Sequence, residues 1–413
     1  MRSKEKGFLS VFGPGWITMM ADMDAPSTAA AIASGSEFGY RLVLLMLILI
    51  VPLYFFQEMA ARLGAVTGKG FISLVKERYG KKASAVTAGG VFFVDGLSYV
   101  GEFAGIATGA ELLGIPLLYA LLMAFTFHTV IVFTKSYTKV EKMLMIISGF
   151  LLLFVVMAFI SRPNPSALLR GLSPLQSYLD PSFAFMVTAD IGAVIMPFMI
   201  FYQQSAVVDK KLSETDVSAE KLETLLGSIA TQFLMICVIV ASAAVSKYVG
   251  PLTSVSEMGS VFYRLAGRAG IIIFSLGLIA AGFLAAVTIS LASAYGISEY
   301  FGWKASLNHK KLLNPFYIIY FVEVIPAVVI IAAFRQVVPI MIDAMALNGL
   351  VLVFPLTLLI KLGGDEKVLG SYKNGKKRQI AAWAMAIIIL SFAVFSFAIS
   401  VPRTLLSYGT YFL

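Results

Sequence analysis

A single cysteine, Cys237, leaves this 413-residue chain without a partner for an intramolecular disulfide. Set in an apolar run, it reads as a small buried hydrophobe. Charge is scarce as well: 13% of the residues are charged, against about 25% in soluble domains. No nucleophile stands paired with a base. Ala33-Ser34-Gly35-Ser36 does not form G-x-S-x-G, and Gly68-Lys69-Gly70 lacks the spacing of a phosphate-binding loop. An enzyme is therefore not expected. One histidine, His128, stands alone in an apolar segment and reads as a satisfied core residue.

What fills the chain is apolar: 59% of its residues, with a mean hydropathy of +0.88. Runs of the roughly 20 residues that cross a bilayer recur near 9–33, 39–61, 86–112, 114–134, 142–160, 184–206, 222–246, 271–296, 314–334, 336–360 and 380–402. Eleven spans predict an all-α polytopic membrane protein, one transmembrane domain over 1–413 with no room for a separate soluble domain. The first span has a basic start but carries two aspartates and a proline, so a cleaved signal peptide is not expected. Glu58 and Glu111 fall near span ends and are expected to be solvated.

The net charge of +9 is no nucleic-acid footprint, because its distribution follows the spans. With a cytoplasmic start, segments 1–10, 62–82, 135–142, 206–223, 299–311 and 361–378 lie inside and hold 24 of the 32 Lys and Arg. That asymmetry places the amino terminus in the cytoplasm and, with an odd span count, the carboxyl terminus outside a cell membrane. Lipid is the expected surrounding; no obligatory protein partner is evident.

Two spans carry interruptions. The first runs Ala21-Asp22-Met23-Asp24-Ala25-Pro26-Ser27, and the sixth runs Gly192-Ala193-Val194-Ile195-Met196-Pro197-Phe198. Lipid tolerates broken backbone only where it is buried in protein or lines a cavity. An ionisable residue at that depth marks a substrate or ion path. Matching Gly/Pro interruptions in two halves point to a transporter of inverted repeats with its site at the midplane. The repeats would be about 9–160 and 184–360, with an extra helix at about 380–402.

Proline removes a donor and displaces the carbonyl four residues earlier. Carbonyls around Asp22 and Met23, with Ala21, and those near Ala193, together with the Asp24 carboxylate, the Ser27 hydroxyl and the Met196 thioether, are thus the candidate ligands of one cation. No aromatic cage and no basic cluster sits at the breaks, which argues against an organic substrate. Asp22, on another helix face, belongs to a vestibule or caps the broken end. Asp95 and Glu102, seven apart in the third span, are candidates for lining an ion path, and Asn348 in the tenth is a further polar candidate.

Gly13-Pro14-Gly15 before a broken span, Ser36-Glu37-Phe38-Gly39-Tyr40, Ala61-Arg62-Leu63-Gly64, Val66-Thr67-Gly68-Lys69, Gly192 to Pro197 and Ser205-Ala206 together resemble the NRAMP divalent-metal transporters. The resemblance implies a LeuT-type fold of five plus five inverted helices, with helices 1 and 6 broken, and alternating-access transport of a divalent metal as cargo rather than cofactor. The family's Asp-Pro-Gly-Asn is here Asp24-Ala25-Pro26-Ser27, and Phe198 replaces the histidine of its Met-Pro-His. Asp95 and Glu102 match two of its three third-span acids, while Gly105 takes the third place. Ile319 and Tyr320 stand where it has two arginines, with Glu323 nearby.

These departures make the chain similar to the NRAMP-related magnesium transporters, which implies Mg²⁺ and Mn²⁺ carried without obligatory proton coupling. Mg²⁺ keeps several waters and needs one or two carboxylates, which suits a serine in place of an amide; a Met196 ligand would favour softer metals. A conventional proton-coupled Mn²⁺/Fe²⁺ symporter is the alternative. A channel is disfavoured, since channels need rings of acids or carbonyls around a pore axis.

Overall fold

Long apolar segments in lipid must satisfy their backbone internally, and this chain does so with helices. The computed structural model describes residues 7–173, 180–245, 255–308, 314–333, 345 and 348–411, with the side chains of 9, 181, 255–256 and 396–411 left aside. The chain opens with α1 (Phe8–Val11), α2 (Pro14–Asp22), α3 (Ala25–Phe38), α4 (Val43–Thr67) and α5 (Phe71–Leu112). There follow α6 (Leu117–Val132), α7 (Tyr137–Phe150), α8 (Leu153–Ile160), α9 (Pro165–Gly171), α10 (Pro181–Val194) and α11 (Pro197–Asp209). The last are α12 (Val217–Ala243), α13 (Val255–Phe301), α14 (Pro315–Ala333), α15 (Val353–Gly363), α16 (Glu366–Leu369) and α17 (Lys376–Tyr411).

Among the described residues eight helices are long and apolar enough to cross a membrane, or nine when the bent pair 348–363 and 366–372 is taken as one span. The difference from eleven has physical causes. The first expected span divides into α2 and α3, of nine and 14 residues. The segment 114–134 yields the 16-residue α6. Positions 336–344 and 346–347 of the tenth expected span lie outside the described residues, as does the basic start at 1–6.

Apolar and polar residues are arranged opposite to the habit of soluble proteins. Large apolar side chains such as Val51, Phe93, Leu118, Ile146 and Phe159 are exposed, while Asp22, Asp24, Asp95 and Glu102 are at most 1% exposed. A lipid-facing surface accounts for the first group. The second requires partners inside the bundle. His128 is one satisfied case: buried, it meets the Tyr99 hydroxyl at 2.8 Å and that of Tyr320 at 2.7 Å.

Two glycines turn the chain at positive φ. Gly80 (φ 85°) sets residues 71–79 at an angle to the rest of α5, and Gly267 (φ 59°) does the same near the start of α13. Glycine alone adopts such angles at no steric cost. The long parts of α5 and α13 then pack along one another, and α12 lies against α2, α3 and α4. Glu223 of α12 caps α2: its Oε1 accepts from Gly13 N–H at 2.5 Å and Trp16 N–H at 2.8 Å.

Glu58 corrects an expectation. It is 1% exposed rather than solvated. Arg62 binds it at 3.1 Å, Lys221 lies 3.6 Å away and Arg378 also pairs with it. The helix α4 runs six residues beyond the expected end at 61, so Glu58 lies inside it, covered by cations from its own helix and two others. Glu111 is exposed, as expected. Arg62 also bonds Asn374 at 2.7 Å, and Arg78 bonds Asp365 at 3.0 Å, so the basic segments around 62–78 and 361–378 meet at one end of the bundle.

Candidate metal centre

The helices α2 and α3 are one span interrupted at Met23 (φ −79°, ψ 56°) and Asp24 (φ −80°, ψ 177°). The helices α10 and α11 are interrupted likewise at Ile195 (φ −122°, ψ 87°) and Met196 (φ −98°, ψ 144°). Proline alone is not the cause, for Pro52 and Pro326 lie within helices that continue through them. Pro26 and Pro197 instead sit in the first turn after each break, where a missing N–H leaves no helical bond unmade.

Following the donors shows which carbonyls are freed. Ala21 O would receive the Ala25 N–H, but that donor goes to Glu102 Oε2 at 3.1 Å. Asp22 O faces Pro26, which has none. Met23 O would receive the Ser27 N–H, which goes to Asp24 Oδ1 at 2.6 Å. In the other break Ala193 O faces Pro197, and it accepts instead from Ser27 Oγ at 3.1 Å. Both α2 and α10 end at these breaks, so two helix C-termini, each carrying partial negative charge, meet there. The opposing N-terminus of α3 is covered by Asp24 and Glu102.

The structure brings together Asp24, Ser27, Ala193 and Glu102. Asp24 Oδ2 and Glu102 Oε1 are buried with no hydrogen-bond partner, and the two carboxyl groups lie against each other. Such orphaned oxygens in a dry interior are costly unless a proton or cation meets them. Close approach is enabled by small residues. A Cβ on Gly101 would lie 2.7 Å from Pro26 Cγ, and one on Gly192 only 2.3 Å from the Met345 carbonyl oxygen.

The other candidates fall around this centre. Ala21 is buried in the last turn of α2. Met196 is fully buried as the N-cap of α11, but the sulfur near Ser27 Oγ, at 3.7 Å, belongs to Met345. Asn348 stands one step behind, its Oδ1 accepting from Ser98 Oγ at 3.3 Å and its Nδ2 3.9 Å from Met345 Sδ. Asp22 turns toward α12, where Gln232 Nε2 donates to its Oδ2 at 3.0 Å. Asp95 accepts from Ser293 Oγ at 2.9 Å and faces Glu323 rather than Asp24.

Sequence reasoning missed Met345 and Gln232. The available signals were the three-residue spacing from Met345 to Asn348, which shares one helical face, and an amide within an apolar span. Among the described residues no three His, Cys, Asp or Glu side chains cluster as a metal site. A cation held here would need carbonyl and hydroxyl oxygens beside the carboxylates. The centre is closed to solvent: Asp24, Ser27, Ala193, Met196 and Glu102 are all at most 1% exposed.

A model of the Natural resistance-associated macrophage protein-like family matches residues 15–398. The divalent metal cation transporter MntH of Bacillus subtilis (strain 168) is 23% identical over 408 residues, covering 94% of this chain and 92% of its own. The Eremococcus coleocola manganese transporter, solved with an aromatic bis-isothiourea substituted compound, superposes with a TM-score of 0.78 at 18% identity, over 96% of this chain and 87% of that one. MhsT in complex with L-phenylalanine does so at 0.59 and 14%, over 97% and 100%. The fold is thus the expected LeuT type, all-α with paired broken helices. Since the family match spans nearly the whole sequence, the chain belongs to the Nramp family.

Proposed function

We propose that this protein carries divalent metal cations, Mg²⁺ and Mn²⁺ favoured, across the membrane by alternating access and without obligatory proton coupling. One observation carries the reading: two broken helices are joined by Ser27 Oγ on Ala193 O, beside a buried Asp24 oxygen that neighbours the Glu102 carboxyl group. Asp24, Ser27 and the Ala21 and Ala193 carbonyls, with Met196 at the second break, form the ligand set. Asp95, Glu102 and Asn348 line the approach. The relatives' printed names, divalent metal cation transporter and manganese transporter, support the class of cargo.

Mg²⁺ is favoured because hard oxygens dominate and the short Ser27 side chain leaves space for retained water. A closed, solvent-excluded centre suits a carrier, which exposes its site to one side at a time, better than a wetted pore. The family's proton relay is interrupted at Gly105, Phe198, Ile319 and Tyr320. The charge distribution supports a cytoplasmic amino terminus and an external carboxyl terminus. The repeats at about 9–160 and 184–360 supply one break each.

A second reading, the proton-coupled Mn²⁺/Fe²⁺ symporter, is favoured by the Asp24–Glu102 pair, which a single proton could neutralise when metal is absent. Uptake of Mg²⁺, Mn²⁺ and Ca²⁺ into proteoliposomes with internal pH followed in parallel separates the two. The carrier reading expects Mg²⁺ and Mn²⁺ entry with no matching acidification. Stoichiometric proton entry would transfer the protein to the symporter class.

A further inference from the structure

The residue two places before Asp24 faces another helix. Asp22 is fully buried, and its Oδ2 accepts from Gln232 Nε2 at 3.0 Å and from Thr231 Oγ1 at 3.4 Å. Its Oδ1 has no partner. Gln232, also fully buried, spends its amide nitrogen on Asp22 and leaves Oε1 unpartnered beside it. One hydrogen-bonded pair of side chains on different helices thus carries two buried acceptor oxygens that no donor reaches. Among the described residues no Lys or Arg forms an ion pair with Asp22.

The surroundings add negative potential and close contact. Asp22 ends α2, whose last carbonyls are freed and whose C-terminus carries partial negative charge. The helices approach closely at Gly227, where a Cβ would lie 2.7 Å from Met19 Cγ. The nearby Met19 sulfur is engaged by Ser228 Oγ at 3.2 Å. An unpartnered amide carbonyl beside an unpartnered carboxylate oxygen is the donor set of a hard divalent cation that retains water in its remaining positions.

We propose that Asp22 and Gln232, steadied by Thr231, form a second station for a divalent cation between α2 and α12, separate from the Asp24 centre. The two centres face different helices: Asp24 meets Glu102 of α5, Asp22 meets Gln232 of α12. The station rests on the carrier reading and deepens it by adding a second place where the cargo ion is held. Its oxygen donors are of the type that suits both Mg²⁺ and Mn²⁺.

The test is equilibrium binding of Mn²⁺ to the purified full-length protein, with Mg²⁺ as competitor. The wild type is expected to bind two Mn²⁺ per chain, Asp22→Asn one and Asp24→Ala one. Gln232→Glu, which adds a carboxylate at the station, is expected to tighten the second ion at least tenfold and leave the first unchanged. One ion per chain in the wild type, or two in Asp22→Asn, overturns the station. Should Asp22→Asn fail to fold, an unchanged second affinity in Gln232→Glu overturns it instead. A wild type that binds no ion while remaining monodisperse removes the carrier reading as well, so the two failures are told apart.

Discussion

Ser27 Oγ donates to the carbonyl of Ala193 at 3.1 Å, so a hydroxyl at one break closes on the carbonyl freed at the other. The donor comes from a residue 166 positions away in sequence, and both groups are buried. The contact joins the two half-helix pairs through the hydroxyl proton, and the hydroxyl oxygen keeps its lone pairs.

Replacing Ser27 by Asn puts a longer amide into this contact. Its carbonyl would reach an ion directly and displace retained water, which Mg²⁺ tolerates poorly. The variant is expected to shift preference toward Mn²⁺ over Mg²⁺ by several-fold in competition uptake. An unchanged ratio would remove Ser27 from the ligand set.

Asp24→Ala deletes the carboxylate with the free Oδ2 and the cap on Ser27 N–H. Glu102 still offers its free Oε1 but is tied through Oε2 to Ala25 N–H, so one carboxylate remains where the centre had two. Transport is expected to fall to background. Asp24→Asn, which can still cap α3, should fold normally and yet remain inactive. Uptake within a few-fold of wild type in either variant would mean that the ion binds elsewhere.

Gly192→Ala tests the approach of 345 to the sixth span. The added Cβ would lie 2.3 Å from the Met345 carbonyl oxygen, a backbone atom that cannot rotate away. Overpacking of this kind costs about 1–3 kcal/mol. A lowered melting temperature is expected, together with weakened Mn²⁺ uptake as Met345 is pushed from Ser27. Wild-type behaviour in both would argue against the close packing.

Glu58→Ala is expected to be severe despite lying far from the centre. It strands Arg62, which is 3% exposed, with only Asn374 and the Tyr372 carbonyl. Removing one member of a buried ion pair costs about 3–5 kcal/mol. Thermal unfolding in detergent should drop markedly, whereas the exposed Lys69–Glu77 pair should be removable with little effect.

Much of this centre was legible because two rules act within a single span. An aspartate in an apolar run needs a reason, and a proline needs its carbonyl four back to find another donor; together they point to Asp24 and Ala193. The refinement that Ala25 and Ser27 give their N–H groups to Glu102 and Asp24 was not legible, because it depends on α5 lying against the break. Met345 and Gln232 were hidden for the same reason: their partners are 318 and 210 residues away. Glu58 departs from expectation because the apolar run ends before the helix does: α4 continues as a polar, ion-paired turn.

The cap that Glu223 places on α2 has a mechanical consequence. That half-helix is fastened to α12 at its first turn by two N–H hydrogen bonds to one carboxylate, and at its last turn by Gln232 and Thr231 on Asp22. Between them Gly227 leaves room for the Met19 side chain against α12. A stroke that swings α2 alone must therefore shear both fastenings at once. A stroke that carries the 27-residue α12 along shears neither, so α2 and α12 are built to move as one body.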